Sequence, residues 1–364
     1  MRLLYDYQIF SRQVYGGISR YFFELMNYFY DNGTCEFFLS LKYSNNEYIQ
    51  NASFSPHKSF FPGFSFPGKR TFMDKINQWN SQNLIKKSFF DVFHPTYFNT
   101  YFLRSWDQKP FVLTIYDMIS ELYPSNSKES TNTINNKKIL AENASKIIAI
   151  SHNTKIDILK FYDIDESKIE VIHLANSLNP KNIENNSLPE RFVLFVGTRD
   201  GCKNFNRFVE AMNGIMQSDN GVYIIFAGGG KFSPLEHEFL KKNNVEKNCL
   251  NFQLSDTMLA SLYKNAELFV FPSLYEGFGL PTLEAFSCGC PVALSERSSL
   301  PEVGGNAACY FNPEDTNSMR DAIEKILYDQ SIREKLVNRG YRQLAKFSWE
   351  KTAEDTFKVY SSLV

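Results

Sequence analysis

The chain has 364 residues, of which 43% are hydrophobic and 22% are charged, and its formal net charge is -1 at pH 7. This length predicts two globular domains, each large enough to bury its own core. The near-zero charge argues against general binding of nucleic acid, and the lack of any apolar run of about 18 to 20 residues argues against a bilayer-spanning helix. Because the N-terminal residues also lack the apolar core of a signal peptide, the protein is expected in the cytoplasm.

The chain starts with an apolar strand, a glycine turn and a helix. Residues 3–5 predict the strand, the following loop ends in Gly16 and Gly17, and residues 19–26 predict the helix. Two adjacent glycines on their own indicate a tight turn as readily as a ligand-binding loop. The segment 54–72 combines aromatic residues with Gly and Pro, which predicts a long loop with the exposed apolar character of interacting segments.

Two further strands of the first half end in polar residues. Residues 91–95 place His94 at a strand end, and residues 111–117 place Tyr116 and Asp117 at another. The carboxyl ends of strands in open α/β sheets are where ligands bind, so these three residues are candidate site residues. A lone histidine is more often a satisfied structural residue, and this alternative stays open for His94.

The second half repeats the pattern after a non-periodic, Asn-rich linker, which predicts a domain boundary near residue 185. Residues 192–196 predict a strand, and the loop after it carries Arg199 and Lys203. Arg can donate two hydrogen bonds to phosphate oxygens and Lys adds a compact positive charge, although two surface cations would be unremarkable. The glycines at 228–230 lack the spacing of a dinucleotide fingerprint, so a dehydrogenase has little support.

The most informative stretch is residues 268–285, an apolar strand followed by a glycine-broken turn and a helix. Pro281 is suited to the first helical position, where its missing N–H is not needed. The backbone amides from Gly277 to Leu280 and the helix dipole would favour an anion or a row of sugar hydroxyls.

Two glutamates frame this turn, Glu276 before the glycines and Glu284 in the predicted first helical turn. Alone, Glu276 could be a solvated turn residue and Glu284 could merely complement the helix dipole. The whole run EGFGLPTLEA after an apolar strand is much rarer. It resembles the E-x7-E signature of the retaining glycosyltransferases of family 4, which are nucleotide-sugar-dependent enzymes with the GT-B fold. The resemblance covers nearly the whole chain and is most specific from residue 192 to 313.

The resemblance implies an α/β protein with the GT-B fold, in which two doubly wound Rossmann-like domains face each other across a cleft. Residues 1–185 would form the acceptor-side domain and residues 186–345 the nucleotide-sugar-binding domain. Residues 346–364 would form a terminal helix that crosses back to the first domain.

The resemblance also implies roles for individual residues. In the family, the first glutamate and the loop amides hold the donor sugar, the second glutamate holds the ribose, and a cationic loop holds the diphosphate. The implied donor-binding residues are Gly16, Gly17, Gly277, Phe278, Gly279, Leu280, Glu284 and Leu254. The implied catalytic residues are Glu276, Lys203, Arg199, Tyr116 and Asp117, with His94 as an acceptor-side candidate.

Two positions depart from the family pattern. Many members have a histidine where this chain has Tyr116, which can still donate a hydrogen bond to a sugar hydroxyl. Cys202 occupies a position that is often basic.

The implied function is transfer of a hexosyl group, with mannosyl as one candidate, from a GDP- or UDP-sugar to a glycan or lipid-linked acceptor with retention. No metal or other cofactor is expected, because the D-x-D at residues 163–165 is typical of a solvated turn. The setting that fits is synthesis of bacterial surface polysaccharide, either O-antigen of lipopolysaccharide or capsule, with peripheral contact at the inner face of the cytoplasmic membrane. The alternatives are a nucleotide-sugar-binding protein without turnover, or a phosphorylase or epimerase of the same fold.

Overall fold

A computed structural model describes residues 1–50, 52–55, 57–106, 109–125, 127–181, 183, 187–199, 201–253 and 255–364. The chain divides into two units. Unit 1 comprises Met1–Leu174 with Trp349–Val364, and unit 2 comprises Ala175–Ser348. The predicted boundary at 185/186 lies outside the described residues, and the predicted boundary at 345/346 falls three residues before the division at Ser348.

Strands and helices alternate along residues 1–174. The strands are β1 (Arg2–Tyr5), β2 (Glu36–Leu39), β3 (Val92–His94), β4 (Val112–Ile115), β5 (Lys146–Ala149) and β6 (Ile169–Val171). The helices are α1 (Gln8–Arg12), α2 (Gly17–Asn32), α3 (Glu47–Gln50), α4 (Lys69–Lys86), α5 (Ile119–Leu122), α6 (Lys128–Asn143) and α7 (His152–Phe161).

The same alternation continues through the remaining residues. The strands are β7 (Phe192–Val196), β8 (Tyr223–Ala227), β9 (Cys249–Phe252), β10 (Leu268–Phe271), β11 (Val292–Ser295) and β12 (Ala308–Phe311). The helices are α8 (Phe205–Ser218), α9 (Pro234–Lys242), α10 (Asp256–Asn265), α11 (Leu280–Ser287), α12 (Leu300–Gly304), α13 (Thr316–Leu327), α14 (Gln330–Leu344) and α15 (Trp349–Ser361).

Unit 1 contains parallel strands in the orders β2-β1-β3 and β4-β5-β6 among the described residues. An isolated parallel bridge between Phe93 and Phe111 places β3 beside β4. The terminal helix α15 belongs to this unit, where the Tyr360 ring packs edge-on against Phe29 of α2 with centroids 6.3 Å apart. The helical spacing of Trp349, Ala353, Thr356, Phe357, Tyr360 and Leu363 predicts an apolar face for this helix. The face is confirmed, since Ala353, Thr356 and Tyr360 are buried.

Unit 2 contains a parallel sheet in the order β12-β11-β10-β7-β8-β9. Every residue of β7 and β10 is buried, as expected of parallel strands covered on both faces by helices. Counted within the unit, this order is 3-2-1-4-5-6 read from the other edge, the doubly wound arrangement whose ligand site lies where the strand order reverses. The reversal here is between β7 and β10.

The structure differs from the sequence predictions at four local points. Helix α4 begins at Lys69, inside the predicted loop 54–72. The sequence SSLPE at residues 298–302 predicts a turn, but α12 begins within it at Leu300. Helix α11 begins at Leu280, so Pro281 is its second residue, where a missing N–H is still tolerated. The placement of Glu284 in the first turn was wrong, because as the fifth residue of α11 it lies one turn further along the helix.

Among the described helices, none combines the length and apolar content that a bilayer span requires.

Candidate functional site

The loops that follow β7 and β10 are joined where the strand order of unit 2 reverses. The N–H of Leu274 donates to the carbonyl of Cys202 over 2.7 Å. The side chain of Asn204 donates to the carbonyls of Pro272 at 3.0 Å and Pro313 at 2.7 Å. Asn204 was not singled out from the sequence, although its left-handed conformation (φ 61°) is one that Asn tolerates better than most residues.

This connection brings Lys203 and Glu276 together. Lys203 Nζ donates to Glu276 Oε1 over 2.6 Å, and the two side chains retain 23% and 11% of their accessible surface. Lys203 Nζ also lies 5.4 Å from the centre of the Phe271 ring. Two residues 73 positions apart, each predicted as catalytic, therefore form one ion pair that is partly shielded from water.

Serines hold the Glu276 segment in place. Ser273 Oγ donates to Glu276 Oε1 at 2.6 Å, and Ser298 Oγ accepts from the N–H of Glu276 at 2.9 Å. Ser299 Oγ donates to the carbonyls of Glu276 and Phe278, both at 2.9 Å. Sequence reasoning identified 298–299 only as a turn; its only available signal was two adjacent serines after a buried strand.

Gly279 forms the N-cap of α11 and requires glycine. Its φ of 101° lies in the left-handed region, and a Cβ there would come within 2.7 Å of Leu300 Cδ2. Phe278 is buried and packs on the Phe347 ring, with centroids 5.9 Å apart. The buried Thr282 Oγ1, in the first turn of α11, has no hydrogen-bond partner among the described residues, and the N–H of Thr282 donates to the carbonyl of Gly279 at 2.9 Å.

Glu284 lies on the same helix and has a different partner. The hydroxyl of Tyr263 donates to Glu284 Oε2 over 3.1 Å. Burial raises the pKa of Tyr263 well above its usual value, with the Glu284 carboxylate adding to the shift. Tyr263 therefore remains a neutral donor that orients the carboxylate.

The Arg199 guanidinium forms all its described hydrogen bonds with residues of unit 2. Its Nε donates to Glu236 at 2.7 Å, and its Nη atoms donate to the carbonyls of Gly228, Gly229, Gly230 and Lys231 at 2.9 to 3.3 Å. The guanidinium carbon lies 4.8 Å from the centre of the Phe232 ring. Within the described residues these bonds hold the glycine turn after β8 rather than the Lys203–Glu276 pair, so contact with a phosphate would require exchanging them.

Gly16 and Gly17 lie at the start of α2 in unit 1, as the N-cap and the first helical residue. A Cβ on Gly16 would meet side-chain atoms of Gln13 at 2.4 Å. Gln13 Oε1 in turn accepts from the N–H of Ser19 over 3.1 Å. The close approach of Gln13 explains why residue 16 is a glycine. The predicted contact of Gly16 and Gly17 with phosphate stays a prediction. Leu254, predicted to meet the base, lies outside the described residues.

Tyr116 and Asp117 follow β4 as predicted. Tyr116 is buried, its hydroxyl has no partner among the described residues, and burial raises its pKa well above the usual value. Asp117 Oδ1 accepts from the N–H of Ile119 at 3.0 Å at the start of α5. A buried hydroxyl without a hydrogen-bond partner destabilises the fold unless a water molecule or a ligand supplies the missing hydrogen bond.

His94 is buried and bonded through both ring nitrogens. Nδ1 pairs with the Tyr360 hydroxyl at 2.6 Å and Nε2 with Thr114 Oγ1 at 2.9 Å. Burial lowers its pKa to about 3. This geometry favours the structural alternative, in which a neutral imidazole ties β3 to α15.

The buried His94 should make unit 1 sensitive to acid. Its pKa is below the usual value in the folded state, so the unfolded chain binds the additional proton between about pH 6.5 and about pH 3. Stability from this group is present above pH 6.5 and is lost as the pH falls. We expect a loss of about 2 kcal/mol at pH 5 relative to pH 7.

Urea unfolding of the wild type and of His94→Gln at both pH values measures this effect. The variant should lack this part of the pH dependence. If the free energy of unfolding changes equally between pH 5 and pH 7 in the two proteins, His94 is not the group responsible.

The sequence matches two family descriptions that together span most of the chain. Glycosyltransferase Family 4 matches residues 15–175, and Glycosyl transferases group 1 matches residues 179–343. The chain is 31% identical over 249 residues to the serotype-specific mannosyltransferase WbdA of Escherichia coli, which covers 63% of this chain and 30% of WbdA. It is 30% identical to the O-antigen chain mannosyltransferase B of E. coli, covering 61% of this chain and 62% of that protein. The chain thus spans less than two thirds of the length of either relative.

Among solved structures, HepE of Anabaena in complex with UDP and glucose superposes with a TM-score of 0.75, covering 99% of both chains at 14% identity. That likeness establishes the fold. With both halves matched by the corresponding family descriptions, this chain belongs to the group 1 glycosyltransferases of family 4 and has the GT-B fold.

Proposed function

We propose that the protein transfers a hexosyl group, with mannosyl as the first candidate, from a nucleotide diphosphate sugar to a hydroxyl of a glycan or lipid-linked acceptor, with retention at the anomeric carbon. The observation that carries the proposal is the Lys203–Glu276 pair beside the start of α11, where the strand order reverses. The names of the mannosyltransferase relatives support the sugar class, and the UDP complex of HepE supports a nucleotide donor.

The chemistry requires a site that stabilises separated charge. When the bond between the sugar and the diphosphate breaks, positive charge develops on the sugar and negative charge on the leaving group. Lys203 supplies positive charge beside the positive, N-terminal end of the α11 dipole, and such stabilisation of developing charge is electrostatic catalysis.

Without donor, Lys203 and Glu276 neutralise each other. A bound donor offers each of them a new partner: phosphate oxygens for the ammonium group and sugar hydroxyls for the carboxylate. The pair thereby keeps both side chains oriented until the donor arrives, and Ser273 also holds the Glu276 carboxylate by its hydrogen bond.

A thermal-shift panel with UDP, GDP, ADP and their sugars tests the donor. A ligand that binds only the folded protein at about 100 times its dissociation constant adds roughly 2.7 kcal/mol of stability. Transfer to mannoside and membrane-extract acceptors, followed with the stabilising donor, then tests the reaction. Stabilisation without transfer or hydrolysis would indicate a nucleotide-sugar-binding protein, and no stabilisation by any nucleotide would overturn the proposal.

Activity is expected not to require a divalent metal, since a lysine and main-chain amides supply the charge stabilisation. The carboxylate of Asp165, in the D-x-D sequence, accepts from the N–H of Ser167 at 2.9 Å and caps a short helical turn. Transfer should therefore survive chelation by EDTA. Full loss of transfer in EDTA that magnesium or manganese restores would contradict this expectation.

The proposed setting is assembly of surface polysaccharide at the inner face of the cytoplasmic membrane, where a lipid-linked acceptor would be presented.

A further inference from the structure

The exposed Phe and Trp side chains of the described residues are concentrated in one segment, whereas the exposed Tyr side chains are scattered. Among the described residues, every strongly exposed Phe or Trp side chain lies between positions 61 and 79. They are Phe61 at 52%, Phe64 at 72%, Phe66 at 38%, Phe72 at 53% and Trp79 at 59%. Exposed apolar residues scattered singly are normal, whereas a contiguous patch marks an interaction site.

The first three of these side chains stand on a loop with fixed geometry. Asn45 bonds to the N–H and the carbonyl of buried Phe60, both at 3.0 Å, which anchors the start of the loop. Lys69 Nζ donates to the carbonyls of Phe61 at 2.9 Å and Phe64 at 2.8 Å, which closes it. The aromatic rings are therefore displayed outward by a defined backbone.

The rings also contact one another. Phe60 packs on Phe61 and Phe72 with centroids 4.9 and 5.9 Å apart, and Phe61 packs on Phe66 at 5.7 Å. Phe60 is buried while its neighbours are exposed. The loop and the first turn of α4 thus form one apolar surface around a buried ring.

Helix α4 extends this surface. Phe72, Lys75, Trp79 and Lys86 are exposed and lie on one stripe, because their spacings of 3, 4 and 7 residues return to the same helix face. The opposite face is anchored, since Asn77 Oδ1 accepts from the N–H groups of Lys42 and Tyr43 at 3.0 Å each.

The surface is basic as well as aromatic. Residues 60–87 contain five cations and one carboxylate, a net charge of +4 in a chain whose formal charge is -1. The cations are Lys69, Arg70, Lys75, Lys86 and Lys87, and the carboxylate is Asp74. Lys is depleted in protein–protein interfaces, whereas exposed Phe and Trp side chains next to a cluster of Lys and Arg are typical of surfaces that bind anionic bilayers.

We propose that residues 60–87 form a membrane-docking surface that binds anionic lipid bilayers, with the loop rings inserted among the headgroups and the lysines of α4 against the lipid phosphates. This assignment stands on unit 1 alone and does not depend on the transferase activity. If the proposed function also holds, docking would present the enzyme to lipid-linked acceptors.

Co-sedimentation of the full chain with lipid vesicles tests the proposal. The protein should bind vesicles of phosphatidylcholine mixed with phosphatidylglycerol and bind phosphatidylcholine alone much more weakly. Binding should weaken between 0.1 M and 1 M salt, where the screening length falls from about 10 Å to about 3 Å. Phe64→Ser should lower the binding constant about tenfold, and Lys75→Ala and Lys86→Ala about fivefold each.

Matched variants outside the surface provide the controls. Leu235→Ser removes a side chain that is 77% exposed in unit 2, and Lys242→Ala and Lys247→Ala remove exposed lysines there. These variants should bind vesicles like the wild type, and circular dichroism should show all variants folded.

Three results would overturn the proposal: no binding of the wild type to the mixed vesicles, binding by folded Phe64→Ser equal to that of the wild type, or equal losses in the control variants. The surface could instead be covered by a second copy of the chain, and light scattering of the wild type and of Phe64→Ser measures the oligomeric state that distinguishes this case. A dimer that dissociates on this substitution, without vesicle binding, would assign the surface to a second copy of the chain.

Discussion

Replacing Lys203 by alanine is expected to lower turnover by roughly two to three orders of magnitude, the effect of removing one preorganised charge-stabilising donor. The ammonium group is the cation that the structure places beside Glu276, at 2.6 Å, and its side chain keeps 23% of its surface exposed to a ligand. Because the negative charge of the leaving diphosphate develops in the transition state, the loss should appear mainly in kcat.

Lys264→Ala provides the control, since it removes an exposed lysine from α10 in the same unit. Lys203→Ala also leaves the Glu276 carboxylate without its cation, so thermal unfolding must show that the variant is folded. A folded Lys203→Ala enzyme that keeps more than about a third of its turnover would remove Lys203 from the site.

Local sequence patterns predicted the strands and the loops that carry the site. The apolar run at 192–196 is β7 with the predicted boundaries, and the strand predicted at the start of 268–285 is β10. Both strands are buried on both faces, so their sequences are continuous apolar runs, one followed by Gly197 and the other by Pro272. The prediction that cations and glutamates follow these strands placed Lys203 and Glu276 at one sheet edge.

Side-chain partners distant in sequence could not be predicted in this way. Nothing near Arg199 indicates that Glu236, 37 positions later, would bind its guanidinium. Nor does the sequence around His94 indicate Tyr360, 266 positions away, as its partner. The acceptor that pairs with a given hydrogen-bonding side chain depends on how the helices pack on the sheet. Hydrophobic periodicity predicts which face of a helix is packed, but it does not predict which residue of another element lies opposite that face.

Substitutions of the two glutamates of the motif are expected to affect turnover and ligand binding differently. Glu276 is proposed to hold the sugar, whose geometry changes as the transition state forms, so Glu276→Gln should cut turnover strongly while the nucleotide diphosphate alone still binds. The amide keeps the shape of the side chain and can still accept from Ser273, but it loses the charge that pairs with Lys203.

Glu284 is proposed to hold the ribose, a group remote from the reacting bond. Glu284→Ala should therefore weaken binding of the intact donor and of the free nucleotide alike, by about 1.5 to 3 kcal/mol for a hydrogen bond to a charged group. Tyr263→Phe should reproduce part of this loss, because its hydroxyl is the donor that orients the Glu284 carboxylate at 3.1 Å.

Calorimetric titration of each variant with the free nucleotide diphosphate and with the intact donor decides between these roles. Glu284→Ala should lose affinity for both ligands, and Glu276→Gln should retain affinity for the nucleotide alone. If Glu276→Gln instead loses affinity for the bare nucleotide while Glu284→Ala keeps it, the two roles are reversed. If neither variant changes binding or turnover, the donor does not occupy the start of α11, because Glu276 and Glu284 lie on either side of it.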